Sequence, residues 1–375
     1  MIRLRAGTVR RVERPRPGVL ELGVEVEGRI EAALAYPELT GPVEEGDTVL
    51  LNTTAVHLGL GTGGYHFVVA VEGAEGFGAG LEAGGAGHVM KLRYTPLQAT
   101  VAAVEEQGSP HRGEIEAVDD LAGLPVTWLP LHSMVGAAAA GAKAAGAGRV
   151  VYVMTDGAAL TAWFSEQLHA LRESGLVDAV VTCGQALGGD FEAVNVFSGL
   201  LVARAVTGAD VALVGDGPGK VGTATRWGAS DIASGMTLNA VHALAGRPVA
   251  ALRLNFAHPA YRHHGVSPHS ITVLQKVALA PVHVAVPALE GDRRDAVWRA
   301  LREAGLEERH QLVEVTGQPA LDALRERGVG AETMGRGLEE EPEFFQAAGA
   351  AGVLAGRMAA GSTRWRAEMD RGAHA

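Results

Sequence analysis

The chain of 375 residues is long enough for two domains, and its hydrophobic content of 47% indicates a compact globular protein. A formal net charge of -11 without a basic run argues against nucleic-acid binding, which needs a positive face. The N-terminus lacks an apolar signal segment, no apolar span reaches the length of a membrane helix, and the single cysteine excludes an internal disulfide. We therefore expect a cytoplasmic protein that binds neither nucleic acid nor membrane.

Residues 1–105 predict a small β-barrel-like domain. Short β-favouring runs alternate with turn signals such as Glu27-Gly28 and Glu45-Gly46-Asp47, and no long helical pattern interrupts them. The stretch Gly73–Gly87 is rich in glycine and is predicted to be a mobile loop, and residues 106–123 are predicted to be a linker. The predicted strands are Thr8–Val12, Val19–Val26, Arg29–Tyr36, Thr48–Asn52, Tyr65–Val71, His88–Tyr94 and Leu97–Val104.

Residues 124–375 predict a Rossmann-like α/β domain. Strand-like runs alternate with helix-length segments, which is typical of a doubly wound, mostly parallel sheet between two helical layers. The predicted strands are Pro125–Pro130, Arg149–Thr155, Asp178–Cys183, Asp210–Gly215, Pro248–Phe256, Val282–Pro287 and Gln311–Val315. The predicted helices are Ser133–Ala147, Ala158–Ser174, Phe191–Thr207, Ser230–Ala245, Pro268–Leu279, Arg293–Ala304, Pro319–Arg327 and Pro342–Ala360.

Polar residues follow the ends of the first five predicted strands. Parallel strands point their carboxyl ends at one edge of the sheet, so these residues are expected to converge there, where open α/β sheets bind ligands. An alternative explanation is that loops are usually polar and that polar residues cap helices. This alternative accounts for any single residue of the set more easily than for all of them together. In strand order they are His132 and Ser133; Thr155 and Asp156; Cys183, Gln185, Asp190 and Glu192; Asp216 with the loop Gly217–Gly222; and the histidine-rich segment His258–Ser270.

The segment His258–Ser270 reads HPAYRHHGVSPHS and holds four histidines. Imidazole titrates near neutrality and transfers protons, so this clustering indicates chemistry more than packing. We predict that His264 or His269 is a general acid or base, tuned by Asp156 or Asp190. The histidine spacing matches no zinc motif, so we predict no metal site and leave the cofactor open.

The loop Gly217-Pro218-Gly219-Lys220-Val221-Gly222 fits the pattern G-x-G-x-x-G between a predicted strand and a predicted helix. No acidic residue ends the next strand, which argues against a dinucleotide, and Val221 stands where a P-loop needs Ser or Thr. A tight turn without a ligand remains an alternative. We predict a phosphate or other anion site that is formed, together with the helix start at Ser267-Pro268, by Gly217, Gly219, Lys220, Gly222 and Ser267.

Four strings of the chain resemble a bacterial family, domain of unknown function 3866. They are Asn52–Val56 with the glycines up to Gly64, Met90–Gln98, Tyr152–Gly157 and His264–Ser267. The resemblance covers essentially the whole chain and implies no activity. It also implies a histidine pair after Gly-Val-Ser, and Pro268 stands here in place of the first histidine, which argues against an essential metal dyad.

Two classes of function remain open from the sequence. The first is an enzyme that acts on a small phosphorylated or otherwise anionic metabolite, with a histidine as general acid or base. The alternative is a non-catalytic binding or regulatory protein whose β-barrel contacts a partner. We also expect a homo-oligomer, a dimer, because a chain rich in alanine and glycine permits close helix packing across a symmetric contact.

Overall fold

The computed structural model describes residues 2–60, 63–73, 76–77, 87–257 and 264–361, with the backbone alone at residues 14–15 and 76–77. The described chain forms two compact units that divide between Ala102 and Ala103. The segment 106–123, predicted as a linker, includes a short helix, and Leu121 donates its backbone N–H to Leu244 O of the second unit. Most of the predicted mobile loop Gly73–Gly87 lies outside the described residues.

The first unit is a closed β-barrel, as predicted. Its strands run in the order β3-β2-β1-β4-β5-β6, and a parallel pairing of β3 with β5 closes the barrel around buried side chains such as Val24 and Leu51. Glu27 and Gly28 both have positive φ and form the tight turn that joins β2 to β3. The elements are β1 Leu4–Arg16, β2 Val19–Val26, β3 Arg29–Ala35, α1 Pro37–Thr40, β4 Thr48–Asn52, α2 Thr54–His57, β5 His66–Gly73, β6 Gly76–Phe77, β7 Val89–Lys91 and β8 Ala99–Val101.

The second unit contains an eight-stranded parallel sheet with helices on both faces. Its strands, together with two short hairpins, are β9 Pro125–Trp128, β10 Val150–Thr155, β11 Ala179–Cys183, β12 Phe191–Ala193, β13 Val211–Asp216, β14 Arg247–Ala251, β15 Leu254–Asn255, β16 Gly265–Val266, β17 His283–Pro287, β18 Gln311–Val315, β19 Glu332–Thr333 and β20 Arg336–Gly337. Its helices are α3 Arg112–Glu116, α4 Val135–Ala144, α5 Glu166–Glu173, α6 Val196–Ala205, α7 Ser230–Ser234, α8 Thr237–Ala243, α9 Pro268–Thr272, α10 Gly291–Glu303, α11 Gln318–Glu326 and α12 Pro342–Ala359.

The strand order of the large sheet is β12-β11-β10-β13-β9-β14-β17-β18. The chain leaves β9 toward β10 on one side and leaves β14 toward β17 on the other. Adjacent strands whose connections depart in opposite directions open a crevice outside their carboxyl ends. The sheet therefore confirms the predicted three-layer architecture, and its centre is where a ligand site is expected.

The observed helices differ from the predicted ones in two ways. The predicted helix Ala158–Ser174 is shortened to α5, which starts at Glu166 because the Ser165 side chain accepts the Leu168 N–H, and two other predicted helices are interrupted. The predicted helix Phe191–Thr207 begins with the strand β12, and α6 starts only at Val196 because the Asn195 side chain accepts the N–H groups of the first turn. The predicted helix Ser230–Ala245 is divided into α7 and α8 at Gly235, where a Cβ would lie 2.4 Å from Val273. Both breaks depend on local capping and packing that hydrophobic periodicity does not report.

A third difference affects the candidate site directly. The predicted strand Pro248–Phe256 ends at Ala251, and its last residues form β15, which pairs with β16 across the histidine-rich segment. This break releases Arg253 from the sheet and places it in the connection between β14 and β15. Arg253 thereby lies at the carboxyl edge.

The abundance of glycine and alanine is explained by a contact inside the second unit. Helices α4 and α12 cross so closely that a Cβ on Gly352 would lie 1.9 Å from Ala138 O, and one on Gly141 would lie 2.4 Å from Gly349 O. Only glycine fits at these positions. The small residues of α4 and α12 are thus accounted for without a second copy of the chain, and the dimer remains a prediction.

Candidate functional site

A buried carboxylate lies at the carboxyl end of β13, in the centre of the sheet. Asp216 is 2% exposed, and its Oδ1 accepts hydrogen bonds from Thr155 Oγ1 at 2.5 Å and from the Gly157 N–H at 3.1 Å. Its Oδ2 lies 3.0 Å from Lys220 Nζ. Asp216 therefore links the end of β10 to the end of β13 by hydrogen bonds through Oδ1, and its Oδ2 pairs with a lysine.

Lys220 extends into the interior from the loop that follows β13. Its side chain is 7% exposed, and Nζ donates to Ser234 Oγ at 3.0 Å. Ser234 Oγ also accepts from Trp128 Nε1 and donates to the Asp231 backbone carbonyl. Burial lowers the pKa of Lys220, and the carboxylates of Asp216 and Asp231 oppose this change. The ammonium group is thus held in a low-dielectric environment by fixed neighbours.

A neutral histidine fixes the backbone at the end of β13. Burial lowers the pKa of His132 to about 4, so its ring is uncharged at neutral pH. His132 Nδ1 lies 3.2 Å from Asp216 O, a carbonyl that can only accept and that Tyr152 also donates to. This assigns the ring proton to Nδ1, so Nε2 accepts from the Ser165 hydroxyl at 2.7 Å. His132 therefore helps to fix the backbone of Asp216.

His269 lies beside a second buried carboxylate. Asp231 is 4% exposed, and its Oδ1 is 3.7 Å from His269 Nδ1. His269 Nε2 lies 3.3 Å from the Thr225 carbonyl, in the loop that also carries Lys220. Asp231 is also close enough to Lys220 to raise its pKa. His269, Asp231 and Lys220 therefore lie in one cluster.

Arg253 adds a second cation to this group. Its backbone is fixed because its N–H donates to Ser270 Oγ at 3.2 Å and its carbonyl accepts from the Ser267 N–H at 2.8 Å. Within the described ranges, no carboxylate pairs with the Arg253 guanidinium. Burial is the largest of the causes that act on the pKa of Lys220, and the positive charge of Arg253, which also lowers that pKa, is the smallest. Lys220 is paired with Asp216, so Arg253 is the cation of the group that has no carboxylate partner in the described chain.

The structure does not bring the two predicted tuning acids to His269. Asp156 lies at the carboxyl edge, but its Oδ2 accepts the Gln185 N–H at 2.8 Å and fixes the turn after β11. Asp190 lies at the opposite edge, because β12 begins directly after it and runs parallel to β11. There it accepts the Val180 N–H at 2.8 Å and pairs with Arg172 at 2.8 Å. The expectation that Asp190 converges with the other strand-end residues is wrong, and Asp231 lies where an acid was expected.

The other predicted histidines are placed differently from His269. The ring of His264 packs edge-on against Phe256, with centroids 6.0 Å apart. His258 and His263 lie outside the described residues. In the described part of the chain, no three His, Cys, Asp or Glu residues are grouped as a metal site.

The glycine-rich loop does not have the geometry of a dinucleotide fingerprint. No helix follows Gly222 directly; the chain instead folds back so that Gly222 bridges to Ala229, and α7 begins at Ser230. Gly217 is required for packing, since a Cβ there would lie 2.4 Å from Ala159 O, and Gly219 has a φ of +89°. Of the predicted loop residues, Lys220 brings a charged side chain to the site.

Ser267 caps α9 as predicted, and its Oγ accepts the His269 N–H at 3.3 Å. The α-helical turn Pro268–Thr272 continues as a π-helix over Val273–Val277, so most of the predicted helix Pro268–Leu279 is helical. The role of the segment is to place the His269 side chain.

Sequence reasoning missed Asp231 and Arg253 as members of the site. Asp231 looked like an ordinary acidic residue in the first turn of a helix, and Arg253 looked like part of a strand. The sequence does contain a signal for Arg253. Arg253 and Asn255 interrupt an otherwise apolar run, which indicates that the strand ends before them.

The fold and site define a two-unit α/β protein with a charged cluster at the switch region of a parallel sheet. The chain belongs to the family described as "Protein of unknown function (DUF3866)", whose model matches residues 32–352. No curated protein and no solved structure gives a significant match. Among the described helices, none combines the length and the apolar character needed to cross a membrane.

Proposed function

We propose that the protein binds a small anionic metabolite at the carboxyl edge of its large sheet and acts on it as an enzyme. The observation that carries this proposal is the Arg253 guanidinium at the carboxyl edge, which has no carboxylate partner within the described residues, although its neighbour Lys220 is paired with Asp216 at 3.0 Å. A cation left unpaired beside a buried ion pair supports an anionic occupant.

Position in the fold supports the same proposal. Lys220 follows β13 and Arg253 follows β14, the two strands that flank β9 at the centre of the sheet. Ligands of open α/β sheets bind outside the carboxyl ends of such central strands. The anion would thus bind at the region where the fold favours a site.

An acid–base role supports an enzyme rather than a simple binding protein. His269 is partly exposed, with 19% of its side chain accessible, whereas the neighbouring Asp231 side chain is 5% exposed. The Thr225 carbonyl lies 3.3 Å from His269 Nε2, and the Asp231 carboxylate faces the other ring nitrogen at 3.7 Å. A reachable imidazole held in this way can transfer a proton to or from a bound ligand. We assign His269 as the proton-transfer group and Asp231 as the carboxylate beside it.

The test is a thermal-shift and calorimetric screen of the full chain with inorganic phosphate, sulfate, phosphorylated metabolites and dicarboxylates. A ligand that binds the native state raises the melting temperature in proportion to its occupancy. We expect Arg253→Gln to weaken anion binding by at least about tenfold, since it removes a charge-assisted contact. The matched control is Arg302→Gln, which removes an exposed arginine from the last turn of α10.

Two results would contradict the proposal. One is the absence of any anion-dependent shift in the wild-type protein, and the other is equal weakening by Arg253→Gln and Arg302→Gln. A binding or regulatory role of the barrel would then be favoured, and barrel-surface variants would be expected to abolish the cellular role while His269→Ala leaves it intact.

A further inference from the structure

The carboxylate of Asp231, close to Lys220, has one oxygen that lacks a hydrogen-bond partner within the described chain. This atom is Asp231 Oδ2. Asp231 is 4% exposed, so bulk water does not reach this oxygen. Buried carboxylate oxygens without a donor are costly and uncommon in folded proteins.

The neighbouring donors are already engaged or poorly placed. The Thr155 hydroxyl donates to Asp216 Oδ1, and the Ser234 hydroxyl donates to the backbone carbonyl of Asp231. Lys220 Nζ lies 3.0 Å from Asp216 Oδ2 and forms an ion pair with that oxygen. His269 Nδ1 is 3.7 Å from Asp231 Oδ1, beyond hydrogen-bonding distance. Asp231 Oδ2 is therefore left without a donor among the described residues.

We infer that the ligand carries a hydroxyl or amino group next to its anionic group, and that this group donates to Asp231 Oδ2. The inference rests on the proposed anion site. It assigns the anionic group to Arg253 and the neutral or positive donor to Asp231. Lys220 is paired with Asp216, so Arg253 and Asp231 together match a hydroxylated acid or an amino acid, whereas a donor-free anion leaves Asp231 Oδ2 without a partner.

The experiment compares ligands that differ only in the donor. Succinate, malate and aspartate share one carbon skeleton, and propyl phosphate and glycerol phosphate form a second matched set. Binding to the full-length wild-type protein is measured by calorimetry or ligand-observed NMR. We expect the donor-bearing members to bind at least about tenfold more tightly, because a site built to bond a hydroxyl or amine discriminates against analogues that lack it. Malate against aspartate then separates a hydroxyl from an amine.

Asp231→Asn provides the matched test within the protein. It keeps the shape of the side chain and replaces one acceptor oxygen with an amide donor, so we expect the preference for donor-bearing ligands to shrink. The control is Asp295→Asn on the exposed face of α10. If Asp231→Asn does not fold, the wild-type comparison decides alone.

Two outcomes are distinguishable from failure of the proposed function. Equal binding of succinate, malate and aspartate to the wild-type protein would overturn this inference and leave the anion site standing, since an enclosed water would then satisfy Asp231 Oδ2. No binding of any anion would overturn the proposed function together with the inference.

Discussion

One lysine–aspartate ion pair lies at the amino ends of the strands of the large sheet, and another lies at their carboxyl ends. The two pairs differ in burial and in their hydrogen bonds. At the amino edge, Lys143 Nζ lies 2.7 Å from Asp178 Oδ2 and also donates to Gly148 O. Asp178 Oδ2 in turn accepts the Val150 N–H at the start of β10. These side chains are 14% and 27% exposed, so solvent still reaches both charges.

At the carboxyl edge, the Lys220 and Asp216 side chains are 7% and 2% exposed. Burial lowers the pKa of Lys220, and the nearby Asp231 carboxylate has one oxygen without a hydrogen-bond donor in the described chain. The amino-edge pair joins the starts of β10 and β11. The carboxyl-edge pair is buried, where a charged group is costly unless it is fully paired. The comparison supports the proposal that the carboxyl edge holds the site, because its ion pair is the more deeply buried of the two and lies close to a carboxylate oxygen that lacks a donor.

The largest expected effect is that of Lys220→Met. The change leaves the Asp216 carboxylate buried without its cation, so we expect a loss of about 3–5 kcal/mol in the free energy of unfolding. Urea denaturation followed by tryptophan fluorescence measures it, because the first unit contains no tryptophan and the signal therefore does not report on the barrel.

The double variant Lys220→Met with Asp216→Asn is the control for that experiment. It removes both charges, and Asn retains an oxygen that can accept from Thr155 and Gly157, so a substantial part of the lost stability should return. A double variant that is as unstable as the sum of the two single variants would show that the two charges are not coupled.

The architecture of both units could be predicted from the sequence because period and turn chemistry are local signals. Alternating runs predicted the parallel sheet, and Glu27-Gly28 predicted the tight turn in the barrel. The strand Phe191–Ala193 was missed because a strand of three residues in an apolar run cannot be separated from a helix by periodicity.

The candidate site was predicted less completely because its members meet through loops. Lys220 and His269 were found from their motifs at strand and helix ends. Arg253 and Asp231 join them only because the strand breaks after Ala251 and the loop between Lys220 and α7 folds back on itself. Strand breaks and loops of this kind depend on tertiary packing, and they leave no regular pattern in the sequence.

A second prediction concerns the pH dependence of stability at the carboxyl edge. The folded-state pKa of His132 is about 4 against an ordinary value of 6.5, so the unfolded chain binds a proton that the folded chain does not as the pH falls through this window. The contribution is fully present above the ordinary value and decreases toward the folded value, by about 2 kcal/mol from near pH 6.5 to near pH 5.

Urea denaturation at these two pH values, compared between the wild type and His132→Gln, measures this contribution. Glutamine does not titrate, so the variant should lose less stability on acidification. His242→Gln, which changes an exposed histidine on α8, should behave like the wild type. An identical pH dependence in the wild type and His132→Gln would show that His132 is not the group responsible.

The smallest expected effect lies at the amino edge. Lys143→Met removes the charge that pairs with Asp178, but solvent screens both partners and the Asp178 carboxylate keeps the Val150 N–H as a donor. We therefore expect a loss of no more than about 1 kcal/mol in the free energy of unfolding, and a smaller loss in high salt, because partly exposed ion pairs are weak and screened. The measurement is the same urea titration, in low salt and in high salt. If Lys143→Met destabilised the protein as much as Lys220→Met, the two edges would be energetically alike, and burial of the Lys220–Asp216 pair would no longer mark the carboxyl edge as the site.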